Sequence, residues 1–201
     1  MSDDPRPPIR LQKRNQYEYA FRLLVADFMR VCEFIEPVDE HLDVHSHRLY
    51  ELLLRGCTEF ESVCREVLAE MKYVRPKPGD FNICDFAHVE SELKFADQFA
   101  VLAFWRPEPA YLRPFAGWGP AQPRLDWYRA YNAVKHNRNS GFANASLRNV
   151  RACIAGVFIL VARLGVIWND GRHQQLPGSS YQGEYSYEGL PFRLPYQSLL
   201  G

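Results

Sequence analysis

The chain has 201 residues, with 24 Lys and Arg against 24 Asp and Glu, so its formal net charge is zero. Hydrophobic residues make up 47% and charged residues 24%, which excludes collagen-like, mucin-like and largely disordered classes. The length fits one domain with room for an appended element, and bulk neutrality excludes a protein that coats nucleic acid with its whole surface, though not one with a local basic patch.

Residues 1–10, MSDDPRPPIR, read as a loose arm, acidic and then proline-rich, with no apolar segment of the kind a signal peptide needs. A first helix is predicted over 11–36. Its apolar positions Tyr17, Phe21, Leu24, Val25, Phe28, Val31, Cys32 and Ile35 are spaced by three and four, and Pro37 ends it. A second helix is predicted from the Ser46 cap to about residue 71. Its stripe runs through Leu49, Leu52, Leu53, Cys57, Phe60, Val63, Cys64, Val67, Leu68 and Met71, and Gly56 in mid-helix permits close approach of a neighbour.

Residues 76–124 change character, holding seven of the fourteen prolines. A short helix over 85–93 and a buried strand within QFAVLAFW, 98–105, are expected in an excursion between helical halves. A third helix is predicted over 126–139 with Asp126 as its cap, broken by Ser140 and Gly141. A fourth, over 144–168, is apolar nearly all round from 152 to 162 and is expected to be the central helix. That run is too short to span a bilayer, which needs about 20 apolar residues, so no membrane association is expected. The tail, 169–201, contains five glycines and three prolines, and GEYSYEG within it alternates like a short strand. The expected fold is mainly α: an antiparallel bundle of four long or medium helices over 11–168, with a small β excursion and an irregular C-terminal tail.

The five cysteines are odd in number and none is spaced C-x-x-C. A disulfide framework or a cysteine zinc site is therefore not expected, and the usage fits a reducing cytoplasm.

The segment most suggestive of chemistry is LDWYRAYNAVKHNR, 125–138. On a helix Arg129, Asn132 and His136 stand at i, i+3 and i+7 and share a face. Lys135 and Arg138 flank the histidine. Imidazole is the side chain suited to moving a proton near neutral pH, and a guanidinium stabilises charge developing on phosphate oxygens. Residues 124–151 hold six basic side chains and one acid, so the basic excess falls on this segment.

This segment resembles the HEPN superfamily of small helical-bundle proteins, many of them ribonucleases of toxin–antitoxin, antiphage and RNA-processing systems. The family's hallmark is an arginine followed, after four to six residues, by a histidine near one end of a long helix. Here six residues separate Arg129 from His136. Ala130 stands where a polar residue often follows the family's arginine, and Asn132 takes the polar place. The order of elements is similar too, and LLLRGCTEFESVCREVL paired with WYRAYNAVKHNR looks like an uncharacterised HEPN-like bacterial group.

The resemblance implies a homodimer whose two His136 side chains act as base and acid on one RNA strand, leaving a 2′,3′-cyclic phosphate without a metal or other cofactor. Arg129 and Asn132 would complete the catalytic set, and Lys135 and Arg138 would hold neighbouring phosphates. A partner protein such as an antitoxin is a further possibility. Tyr128 and Tyr131 flank the motif and are candidates for stacking unpaired bases. The alternatives are a module that binds nucleic acid or nucleotide without chemistry, and a protein-interaction domain using the aromatic stretch 105–118.

Two further groups are candidates for other roles. His41, His45 and His47 are spaced for metal binding only if helical, and their place between Pro37 and the Ser46 cap predicts a solvated turn. Glu59 and Glu66 share a face of the second helix and could pair with Arg129 or Lys135, while Glu61, Glu90 and Glu92 read as solvated or salt-bridged.

Overall fold

The computed structural model describes residues 13–164, 184–186 and 190–195. The arm over 1–10, residues 165–168 and most of the tail lie outside the described residues. Within them the fold is mainly helical with a small antiparallel sheet.

The first helix, α1, spans Arg14–Cys32 and continues only as turns to Ile35. Its predicted stripe is the one that packs: Tyr17, Phe21, Leu24, Val25 and Phe28 are buried. Helix α2, His47–Glu70, starts at the predicted cap, where the Ser46 hydroxyl accepts from the Leu49 N–H at 3.2 Å. Helix α7, Leu147–Arg163, is capped in the same way by Ser146, three residues later than expected. Every residue of α7 from Cys153 to Ala162 is buried, so it is the central helix.

Helix α2 packs against both α1 and α7. Gly56 lies at the α2–α7 crossing, where a Cβ would come 2.7 Å from the Cys153 sulfur. Absence of a side chain there lets the two helices close. Cys57 and Cys153 meet at the same crossing, their sulfurs 3.6 Å apart and both buried.

The proline-rich region is built into the core. It contains two short helices, α3 (Ile83–Phe86) and α4 (His88–Leu93), then strands β1 (Ala100–Leu102) and β2 (Ala110–Leu112). Phe95, Phe115 and Trp118 are buried and gather around Phe60 of α2, with Phe60–Phe115 and Phe60–Trp118 centroids at 6.1 and 5.8 Å. Gly156 of α7 makes room for them, since a Cβ there would lie 3.2 Å from the Phe115 ring.

Two segments of the tail also join the fold, so it is not wholly irregular. Strands β3 (Glu184–Ser186) and β4 (Phe192–Pro195) complete a four-stranded antiparallel sheet of order β2-β1-β4-β3, with Leu102 opposite both Ala110 and Phe192. Phe192 and Leu194 are fully buried, and the Phe192 ring lies 5.3 Å from Phe158 of α7. Among the described residues no helix is long and apolar enough to cross a membrane.

Candidate functional site

The candidate residues are carried by α5, Asp126–His136, which ends three residues earlier than predicted. Asp126 is not its cap. Leu125 takes that position without a side-chain bond, and Asp126 lies in the first turn, 3.6 Å from Arg129. After Asn137 the chain turns into α6, Arg138–Gly141, where the Asn137 side chain accepts from the Ser140 N–H. Gly141 closes the corner, because a Cβ there would fall 2.7 Å from the Ala133 carbonyl oxygen. A turn, Phe142–Asn144, then leads to α7.

The buried face of α5 consists of Trp127, Tyr128, Ala130, Tyr131 and Val134. Trp127 donates to the Pro114 carbonyl at 3.0 Å, and the Tyr128 hydroxyl donates to Glu61 at 2.7 Å. Burial, then the Glu61 hydrogen bond, pushes the Tyr128 hydroxyl well above its ordinary pKa. Tyr128 and Tyr131 are 5% and 3% exposed. This corrects the expectation that they stack bases: their rings are closed off by the core, and only a hydroxyl or ring edge is polar.

The opposite face is open. Arg129, Lys135 and His136 are exposed and Asn132 is half-buried. His136 has no side-chain hydrogen bond or ion pair among the described residues. Lys135 bends back so that its ammonium donates to the Tyr131 hydroxyl at 3.0 Å and lies 5.0 Å from that ring's centroid. The hydrogen bond to Tyr131 raises the Lys135 pKa, and the side chain stays cationic.

Arg138 leaves the α5 face and meets residues far away in sequence. Its guanidinium donates to His47 Nδ1 at 2.9 Å and lies 5.1 Å from the Tyr50 ring and 6.0 Å from Phe142. Arginine can only donate, so Nδ1 is the acceptor and the ring proton of a neutral His47 is on Nε2. The His47, His45 and Tyr50 rings surround Phe142, with centroids at 4.8, 5.7 and 6.1 Å. The sequence singles out His47 only within the histidine group; its pairing with Arg138, and the Tyr50 and Phe142 rings beside it, are not visible there. His47 and Arg138 are 91 residues apart, and no local pattern pairs them.

The other candidates are dispersed. His41 Nδ1 donates to the Glu36 carbonyl at 2.9 Å and His45 contacts that of Asp43, so the three histidines have three different partners. No group of three or more His, Cys, Asp or Glu among the described residues is placed to hold a metal ion. The carboxylate that reaches α5 is Glu61, not Glu59 or Glu66. Glu66 accepts from Tyr17, and Arg55 is the cation acting on Glu59. In the aromatic stretch Trp105, Phe115 and Trp118 are buried and only Tyr111 is well exposed.

Compared with known proteins, the chain matches no family model, no curated protein and no solved structure.

Proposed function

We propose that the exposed face of α5 acts on RNA, as the HEPN resemblance implies, and that the protein is a metal-independent endoribonuclease working as a homodimer in the cytoplasm. One observation carries this reading. His136 is solvent-facing and, among the described residues, unengaged at the end of a helix whose same face presents Arg129 and Asn132, with Lys135 beside it.

The reaction needs one group to take the proton of the ribose 2′-hydroxyl and another to protonate the leaving 5′-oxygen. Arg129 and His136 are seven residues apart, a rise of about 10 Å along the helix. The α5 face of one chain carries a single imidazole, that of His136, so a second His136 from a partner copy supplies the acid. Arg129 stabilises the charge on the phosphorane. Membership of a bacterial defence or toxin system, with an antitoxin as partner, belongs to the same reading.

The test is incubation of the purified chain with single-stranded RNA in excess EDTA. Cleavage to 2′,3′-cyclic phosphate ends is expected, with a drop of at least 10³-fold in His136→Ala, of the order seen when a general acid–base group is lost. Equal cleavage by the two proteins would sink the enzyme.

A second reading is favoured by the Arg129–Asp126 pair, which partly neutralises the arginine. In it the same face binds RNA without cutting it. Salt-sensitive affinity without products would support it, with weakening in Lys135→Ala.

A further inference from the structure

We infer that Arg138 and His47, seated on Phe142 and Tyr50, form a platform for one unpaired nucleobase and its phosphate. The inference rests on the RNA reading above and names where the strand continues beyond His136.

The arrangement has two layers. Phe142 and Tyr50 are half-buried and form the floor, while Arg138, His47 and His45 are exposed above it. A guanidinium and an imidazole are planar, and both stack on bases. His47 occupies one donor position of Arg138. A guanidinium has five N–H groups, so others remain for a phosphate.

The cations at this end of the molecule differ in their partners. Arg148 pairs with Asp43 at 3.0 Å and Arg151 with Asp39 at 3.1 Å. Arg138 has no carboxylate partner among the described residues; its partner is a neutral ring nitrogen.

The backbone fixes the platform from three directions. Asn137 caps α6, Gly141 lets α6 lie against α5, and a bridge between His45 and Ser146 ties the entry of α2 to that of α7. Arg138 is two residues from His136, at most about 7 Å of backbone. The platform thus begins within two residues of His136, close enough for one strand to reach both.

The probe is a fluorescein-labelled 2′-O-methyl 12-mer, which lacks the 2′-hydroxyl and is not consumed, read by anisotropy with the full chain. Arg138→Lys keeps the charge and removes the plane. Phe142→Leu keeps apolar bulk and removes the floor. Each is expected to weaken binding about tenfold, the usual effect of losing one stacked base. Neither should change affinity for an abasic 12-mer of the same charge. Phe142→Trp should restore binding, which separates loss of the ring from loss of fold. Arg138→Lys and Phe142→Leu binding like the wild type would overturn the platform and leave the RNA reading standing. So would an equal loss on the abasic strand, or an acidic peptide of equal charge binding as tightly. A wild-type chain that binds neither strand removes both readings together.

Discussion

Tyr128 and Tyr131 show how one pattern supports two readings. Aromatic residues beside cations can stack bases, yet these two also continue the stripe of Trp127 and Val134 at helical spacing, and the structure follows the stripe. The cations reach them at the edge, as Lys135 does to the Tyr131 hydroxyl. Asp85 offers a sharper test of single-residue electrostatics. It is buried, which alone would raise its carboxyl. Hydrogen bonds from the Asn82 N–H, Arg75 and Tyr73 outweigh this and hold the pKa below its ordinary value. A depressed folded pKa adds stability above the unfolded value of about 3.9, and this is lost as pH falls through the folded value. Urea melts between about pH 5 and 2 should show that loss in the wild type and a flatter curve in Asp85→Asn; parallel curves would remove the assignment. The thiols can be ranked likewise. Cys57, Cys64 and Cys153 are buried, and burial pushes the half-buried Cys32 up to about 12. Cys84 alone is exposed. Titration with a disulfide reagent near pH 8 should therefore give one prompt thiol in the folded chain and five after denaturation. Prompt reaction of a second thiol would contradict the packing.

At the scale of elements, the long helices were legible because an apolar stripe at helical spacing leaves little choice about which face turns inward. The α2 stripe is buried from Leu49 to Leu68, and Ser46 caps it as read. The boundary near the site was not legible. A helix over 126–139 is what propensity suggests, but the chain breaks at Asn137. The reason is tertiary: Gly141 packs against the α5 backbone, a contact that no local spacing encodes. Gly141→Ala would force a Cβ to within 2.7 Å of the Ala133 carbonyl oxygen. We expect a loss of about 1–3 kcal/mol in denaturant melts, the usual cost of overpacking, although alanine is the better helix former. A neutral or stabilised variant would mean that α6 is free to move away from α5. The His47–Arg138 contact depends on the same corner. His47 could be read only as part of a loop cluster because its partner, Arg138, arrives 91 residues later in the chain.

At the scale of the whole molecule, the sequence pattern separated helical halves, excursion and tail, and the structure merges them. The segment 98–105 does contain a strand, and GEYSYEG another, but pairing across the chain is what turns them into one sheet. Three-residue strands carry almost no periodic signal. The burial of Phe192 makes this testable. Phe192→Ala should cost about 3–5 kcal/mol, as for other large aromatics deleted from a core. A thermal melt unchanged by the substitution would return β4 to the status of a loose appendage. The same pairing has a consequence in time. β1 is synthesised about 90 residues before β4, which at 5–20 residues per second is roughly 5–20 s on the ribosome. Throughout that interval one edge of β1 awaits its cover, and the apolar patch around Phe158 joins it for the last 34 residues, until Phe192 is made. The nascent chain is thus most vulnerable to aggregation, and most in need of a chaperone, after its central helix has been made.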